Sequence, residues 1–354
     1  FFEDLDFDYV VFDEVHNFKN IFAGAKLKSG KGNEFRNVRG SSSERGIKAY
    51  AMAQYILRHN KGRGVIALSA TPFTNSPMEI YSILSLLAKR RLEEMKIKNV
   101  NDFMTMFMKL TPRFQIKANR QVVEEDTIES FHNLQQLQKL VSEFIDFRSG
   151  EAEGMIRPSK SKRTHVLKPN QMQMEYLDKA QKLYEDKDAG GAIVAITEQQ
   201  NITLSPYLSR YHTGGLPGYK EFVENSPKIK QAMEAVRQIK KDQPEVGQVI
   251  FMPRGVELYN LLKQYLIKEI GYKAGEIDAI TGGMSIDAKQ SIQDDFNAGK
   301  LKILIGSDAI KEGINLQTNA TDLHHLHLPW NPTDIVQVEG RIWRQGNKWK
   351  NTRI

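Results

Sequence analysis

The chain has 354 residues, 40% of them hydrophobic, which is enough to bury two ordinary cores; 50 basic against 43 acidic side chains leave a net charge of +7 and a pI of about 9.2. That excess permits a polyanionic partner without demanding one. Cysteine is absent, which excludes disulfides, thiolate zinc sites and cysteine nucleophiles and favours an intracellular setting, and no apolar run approaches membrane-spanning length.

The chain opens on Phe1-Phe2-Glu3-Asp4, with neither an initiator methionine nor a signal-peptide pattern, and reads as an excerpt of something longer. Tyr9 to Phe12 is a run of apolar β-formers that delivers Asp13, Glu14 and His16 to a strand end. From Gly24 to Gly46 the chain is rich in Gly and Ser and carries Lys26, Lys28, Lys31, Arg36, Arg39 and Arg45, so a mobile basic loop is expected. Val65 to Leu68 is the next strand. Ser76-Pro77-Met78-Glu79 then opens a helix, with serine as cap, proline in the first turn and Glu79 closing a capping box. Ile80, Tyr81, Leu84 and Leu87 share one face of it.

Between about Lys89 and Glu224 the pattern changes to long amphipathic stretches, such as Tyr176, Leu177, Ala180, Leu183 and Tyr184, with no convincing buried strand. A helical insertion is expected there. Met104, Met106 and Met108 read as apolar packing, and Tyr207, Tyr211 and Tyr219 as core or linker residues rather than stacking platforms for bases. Strands return at Val249 to Phe251, Ile303 to Ile305 and Leu323 to Leu328, and Asn351 to Ile354 resembles the start of another. Most are continuous apolar runs of the kind buried on both faces of a parallel sheet, which implies α/β architecture in two domains. Ser226-Pro227, Ser285 and Asn331-Pro332 open the intervening helices. His324, His325 and His327 read as structural, since no third metal ligand is in sight.

Two segments could carry chemistry. Asp13 and Glu14 follow a strand, the usual place for a ligand site in an α/β sheet. There one carboxylate can organise hydrated Mg²⁺ on the β and γ phosphates of a nucleotide while its neighbour orients the attacking water. The alternative is an acidic strand end that merely faces solvent. The helix from Pro332 has Ile335, Val338 and Ile342 as its buried stripe, while Gln337, Arg341 and Arg344 follow at steps of four and three on a different face. A guanidinium fork stays charged and binds phosphate in bidentate fashion, as charge developing on a γ phosphate requires. The alternative is a solvated face with ion pairs along the helix.

Taken in order, the motifs resemble those of a superfamily 2 helicase-type ATPase of the Swi/Snf class. Asp13-Glu14-Val15-His16 matches the DExH box (motif II), and Leu68-Ser69-Ala70-Thr71-Pro72-Phe73-Thr74-Asn75 resembles motif III. Val249-Ile250-Phe251, Ile280-Thr281-Gly282-Gly283 and Phe296-Asn297 are similar to motif IV and the region just after it. Ser307 to Gln317 resembles motif V, Trp330-Asn331-Pro332 the Trp-Asn-Pro element, and Gln337 to Arg344 motif VI. Phe147-Arg148 to Lys162-Arg163, followed by Leu167-Lys168-Pro169-Asn170-Gln171 and Tyr176, resembles the class's linker.

The resemblance implies RecA-like parallel-sheet lobes, the first partial and the second near complete, with a helical insertion between them: residues 1–90, 226–354 and 91–225 respectively. It implies ATP and Mg²⁺ as cofactors and DNA, duplex favoured, as partner. Asp13 and Glu14 would serve the metal, with Glu14 the general base, and Arg341 and Arg344 would reach the γ phosphate. His16 and Gln337 would couple the lobes, and Ser69 and Thr71 would link hydrolysis to movement. Asp308, Gly313 and Asn315 would lie on the nucleotide side, and Arg254, Thr281, Gly282, Ser307 and Trp330 on the nucleic acid.

The chain departs from the family in one respect that matters. No G-x-x-x-x-G-K-[ST] phosphate loop occurs; Gly24 to Gly32 has the wrong spacing and comes after the carboxylates instead of before them. The expectation is therefore a chain that lacks the first half of lobe 1 and hydrolyses ATP poorly by itself. Lys311-Glu312 before Gly313 is nearer the bacterial members, so a cytoplasmic protein of bacterial, plasmid or phage origin is expected. A strand-separating helicase and a non-hydrolysing nucleic-acid-binding module are the competing readings.

Overall fold

The computed structural model describes residues 4, 6–22, 42–70, 78–116, 121–148, 156–185, 191–311, 313–329 and 331–354. The chain divides into two units, Phe1–Gly150 and Glu151–Ile354.

In the first unit, β1 (Val10–Phe12) and β2 (Val65–Ala67) pair in parallel, Val10 against Val65 and Phe12 against Ala67. The chain between them includes α1 (Glu44–His59). Phe12 and Val15 pack with Ala49 and Ala53 of α1 and with Ile83 and Leu86 of α2 (Met78–Leu87). Tyr9, Val11, Ile66 and Leu68 are exposed, which corrects the expectation of strands buried on both sides. Successive strand residues face opposite ways, and the described helices cover one face of this pair. Ser43 caps α1 by accepting from the Gly46 amide at 3.0 Å, so the expected basic loop ends sooner than Gly46; Lys26 to Arg39 lie outside the described residues.

Beyond α2, with Tyr81 and Leu84 buried as expected and Ile80 and Leu87 packed beside them, come α3 (Lys89–Glu94) and α4 (Val100–Phe107). Asn99 and Asp102 form a reciprocal capping box on α4. Phe103, Met104, Phe107 and Met108 are buried, and Met106 packs against them. Glu79 pairs with Lys19 at 2.8 Å; its expected capping partner Ser76 lies outside the described residues. The insertion is not helical throughout. β3 (Met108–Ile116) and β4 (Val122–Phe131) form an antiparallel hairpin before α5 (Leu134–Phe144). Phe114 and Val122 are exposed on it, so the burial pattern that betrays a strand in a sequence is missing.

The second unit runs β5 (Ser159–Ser161), α6 (Gln171–Lys182), α7 (Gly191–Leu204), α8 (Tyr219–Glu224), α9 (Pro227–Asp242), β6 (Gly247–Phe251), α10 (Tyr259–Tyr265), β7 (Ile277–Ile280), α11 (Ile286–Asn297), β8 (Ile303–Gly306), β9 (Ala320–His325), α12 (Pro332–Glu339) and β10 (Asn351–Arg353). Its six strands are parallel in the order β5-β10-β9-β6-β8-β7. Every residue of β6 and β8 is buried. Ile250, Ile303 and Ile305 face the side packed by α9 and α10, and Val249, Phe251 and Leu304 the side that includes Phe296, Val338 and Ile342. Two-sided burial explains why these strands read as unbroken apolar runs. This is the α/β, parallel-sheet architecture expected of a RecA-like lobe.

Two local contacts secure the last third of this unit. Arg353 on β10 makes a two-pronged ion pair with the buried Asp322 of β9, at 2.7 and 2.8 Å. Asn331 caps α12 through the Thr333 amide, and the helix stops at Glu339. Arg341 and Arg344 therefore lie in the turn beyond it, not on the helix face that spacing suggests; Gly340 is the C-cap. Among the described residues no helix is long and apolar enough to cross a membrane.

Candidate functional site

At the end of β1 the chain turns sharply. Glu14 takes a left-handed backbone conformation (φ 49°, ψ 55°) before a short 3₁₀ turn, Val15–Phe18, an uncommon state for a residue with a side chain. The Glu14 amide donates to Asp13 Oδ1 at 2.9 Å. Asp13 is exposed and Glu14 half-buried. The turn is tied to β2: Leu68 N donates to Phe12 O at 2.8 Å and Val15 N to Leu68 O at 2.9 Å. His16 Nδ1 lies 3.1 Å from Ser69 Oγ and 3.3 Å from Glu14 Oε2. Asp13, Glu14, His16 and Ser69 are thus one cluster. Thr71 lies outside the described residues.

Mg²⁺ keeps several waters and takes one or two protein carboxylates, with phosphates completing its shell. Adjacent carboxylates at a strand end, one of them exposed, fit that demand. Among the described residues no group of three or more His, Asp or Glu side chains is arranged to hold a metal unaided.

In the second unit the loops after β6 and β8, neighbouring strands, carry Arg254, Ser307, Asp308, Gly313 and Asn315. Ser307 is buried, and its Oγ accepts from the Ala309 amide at 3.2 Å. Asp308 is exposed and pairs with Lys311 at 2.7 Å. Lys311 also reaches Asp334 of α12 at 2.6 Å; burial opposes its charge, but the two carboxylates outweigh that and raise its pKa. Gly313 needs its positive φ of 69°. Asn315 is held by Gln293, whose Oε1 accepts from its amide at 2.7 Å, and by Asn297, which donates to its carbonyl at 2.8 Å.

The arginines dock on this loop. Arg341 donates to the carbonyls of Ile314, at 3.1 Å, and Lys311, and the exposed Arg344 to Asn315 Oδ1 at 2.6 Å. Asp308, Gly313, Asn315, Arg341 and Arg344 therefore belong to one assembly, which Lys311 fastens to α12. Sequence reasoning passed over Lys311, although carboxylates three residues before it and in the next helix signal such a clamp.

The expected nucleic-acid residues are more dispersed. Arg254, after β6, is occupied by Asn201 Oδ1 at 3.1 Å and Gln200 Oε1 at 2.9 Å, both from α7. Thr281 and Gly282 follow β7, with open space around Gly282. Gln337 is half-buried on α12, and Trp330 lies outside the described residues. His324 Nε2 lies 3.0 Å from Gln248 Oε1, and His325 packs edge-on against Phe251.

The family described as Probable helicase domain matches residues 1–149, and the Helicase conserved C-terminal domain family matches residues 228–346. Over its whole length the chain is 20% identical to Defense against restriction protein B of Escherichia phage P1, of which it spans 22%. Over 98% of its length it is 25% identical to the Chromodomain-helicase-DNA-binding protein 3 homolog of Caenorhabditis elegans, of which it spans 17%. The chain thus spans about a fifth of the length of these curated relatives. Among solved structures it is similar to the Sulfolobus solfataricus SWI2/SNF2 ATPase core in complex with dsDNA, with a TM-score of 0.44 and 19% identity over 98% of this chain and 62% of that one.

Proposed function

We propose, from the premise that the chain belongs to the helicase-type ATPases of superfamily 2 and carries the motif set of the Swi/Snf class, that it is the core of a motor coupling ATP hydrolysis to movement along double-stranded DNA. Residues 1–90 contribute to the first lobe, 91–225 to the insertion and linker, and 226–354 to the second lobe.

Asp13 would hold the Mg²⁺ of the nucleotide, with Glu14 beside it. Bound there, the ion would supply charge neutralisation on the β and γ phosphates. Glu14 accepts a proton from the attacking water, and Arg344 and Arg341 donate to the γ phosphate as negative charge grows on it. Asp308, Gly313 and Asn315 shape the arginines' surroundings, and Gln337 adds a polar contact from α12. Ser307, Thr281, Gly282, Arg254 and Trp330 track the nucleic-acid backbone, to which the net charge of +7 is suited. The name of the nematode relative joins helicase to DNA binding, which favours DNA as the track.

One observation carries the reading. His16 touches both Glu14 and Ser69, which links the Glu14 carboxylate to the segment just after β2. A base linked in this way can report the state of the nucleotide to Ser69, Thr71 and the chain beyond them.

The test is ATP hydrolysis by the full natural polypeptide with no nucleic acid, with single strands and with duplex, beside its Glu14→Gln variant. Duplex should stimulate the wild type most. The variant should bind ATP and lose turnover by about 10²-fold or more, because the water loses its base. Stimulation mainly by single strands would point instead to a strand-separating helicase, and wild-type turnover by the variant would remove Glu14 from the role of base.

A further inference from the structure

The segment just before α6 does more than connect. β5 pairs in parallel with β10, Ser159 with Asn351 and Ser161 with Arg353. Lys160 on β5 and Lys162 just past its end both reach Glu339: Lys160 Nζ lies 3.2 Å from Oε2 and Lys162 Nζ 2.5 Å from Oε1. Glu339 is the last residue of α12, and its side chain is 4% exposed. Burial opposes its charge, yet the two lysines outweigh that and hold the carboxyl below its ordinary pKa.

Four residues on, Trp343 is gripped by the same segment. The Lys160 ammonium sits 3.6 Å from its ring centroid and the Arg157 guanidinium 4.9 Å. Its Nε1–H donates to Pro158 O at 2.8 Å. Its backbone amide in turn donates to Glu339 O at 2.8 Å. The turn that carries Arg341 is therefore held at Glu339 and at Trp343, the residue before Arg344, by β5 and the residues flanking it, 157–162. Exposed ion pairs contribute little, but loss of the cations around a buried carboxylate leaves a charge without compensation. This contact should therefore fix geometry, and neither Glu339 nor Trp343 makes sense as a solvated helix residue.

We propose that Glu339 is a positioning residue for ATP hydrolysis: through Lys160 and Lys162, strand β5 sets where the 340–344 turn presents Arg344. The proposal rests on the reading in which Arg344 meets the γ phosphate. It makes the linker strand a determinant of turnover, although it carries no group that touches nucleotide.

The test uses the full natural polypeptide, with steady-state ATP hydrolysis at saturating duplex DNA. The variants are Glu339→Gln, the pair Lys160→Ala with Lys162→Ala, all three together, the conservative pair Lys160→Arg with Lys162→Arg, and Arg344→Ala as a separate control. Glu339→Gln and the alanine pair should each lower kcat about ten-fold, with KM for ATP within about two-fold of wild type. The triple variant should be no worse than either, since all act on one contact. The arginine pair, which keeps both charges, should restore kcat to within about two-fold of wild type. If Arg344→Ala cripples kcat while Glu339→Gln leaves it intact, the positioning role is wrong and the arginine reading stands. Equal losses in kcat and affinity, or additive losses in the triple variant, would mark β5 as a general anchor and also overturn the proposal. Full activity in Arg344→Ala would remove the reading on which it rests, and the proposal with it.

Discussion

His325 faces Phe251 edge-on, ring centroids 5.6 Å apart, and neither ring nitrogen has a hydrogen-bond partner among the described residues. Burial pushes its pKa down to about 4, and burial, with Arg254 and Lys228 nearby, does the same to His327. Each imidazole is thus neutral when folded and binds a proton near pH 6.5 once released. Between about pH 6.5 and 4 the unfolded chain holds more protons, so stability is fully present above that window and falls as pH drops through it. His325→Leu should flatten the decline and raise the urea midpoint at pH 5 relative to wild type, since it removes a buried polar ring without a partner. An unchanged slope from pH 7 to 5 would show that His325 does not resist protonation in the folded state. The burial of these histidines was legible in the sequence, since both fall in or beside the apolar run Leu323 to Leu328. The partners of Arg341 were not legible: backbone carbonyls of Lys311 and Ile314 leave no side-chain signature. The left-handed turn at Glu14 was equally silent, since no glycine marks it.

Elements were best read where burial is two-sided. β6 and β8 announce themselves as apolar runs, and the caps at Ser285 and Asn331 mark their helices; β9 (Ala320–His325) begins three residues before the expected Leu323, because its first half contains Thr321 and Asp322. Where a face is open, as on the β3–β4 hairpin, the signal fades. Gly46 shows how local rules fail in another way. In a sequence it belongs to a glycine-rich loop, yet it sits in the first turn of α1, where an added Cβ would lie 2.5 Å from the Asn20 carbonyl oxygen. Helix propensity predicts that Gly46→Ala stabilises by about 1 kcal/mol. Crowding against backbone that cannot rotate away predicts a loss of about 1–3 kcal/mol instead. We expect the loss, read as a lower melting temperature; a higher one would mean that the 20–22 segment yields. The end of α12 belongs to the same lesson, because the grip of residues 157–162 on Glu339 and Trp343 holds the path after it.

At the scale of the molecule, the ordered motifs carried the resemblance, and family models of helicase domains match residues 1–149 and 228–346, while composition contributed only a tendency. A net charge of +7 says little about where a polyanion binds. If the track is duplex DNA held through its phosphates, the affinity of the full polypeptide for a 30-bp duplex (a probe of about this length, chosen to exceed typical site sizes) should fall steeply between about 50 and 200 mM salt, linear on logarithmic axes. Fluorescence anisotropy would read this directly, and a flat response would rule out phosphate contacts as the main source of affinity. What no motif disclosed is that residues 159–161 join the second unit's sheet, since β5 is three residues long and wholly exposed by pattern.

That short strand has a consequence for how the protein is made. β5 sits beside β10, and Ser159 finds Asn351 across 192 positions of chain. A ribosome delivers β5 long before its neighbour exists, so the sheet cannot close along this edge until residues 351–353 have emerged. Contacts so distant in sequence form slowly and leave unpaired strand edges open to association in the meantime. Synthesis of this unit should accordingly depend on holding the nascent chain apart from its copies until β10 arrives.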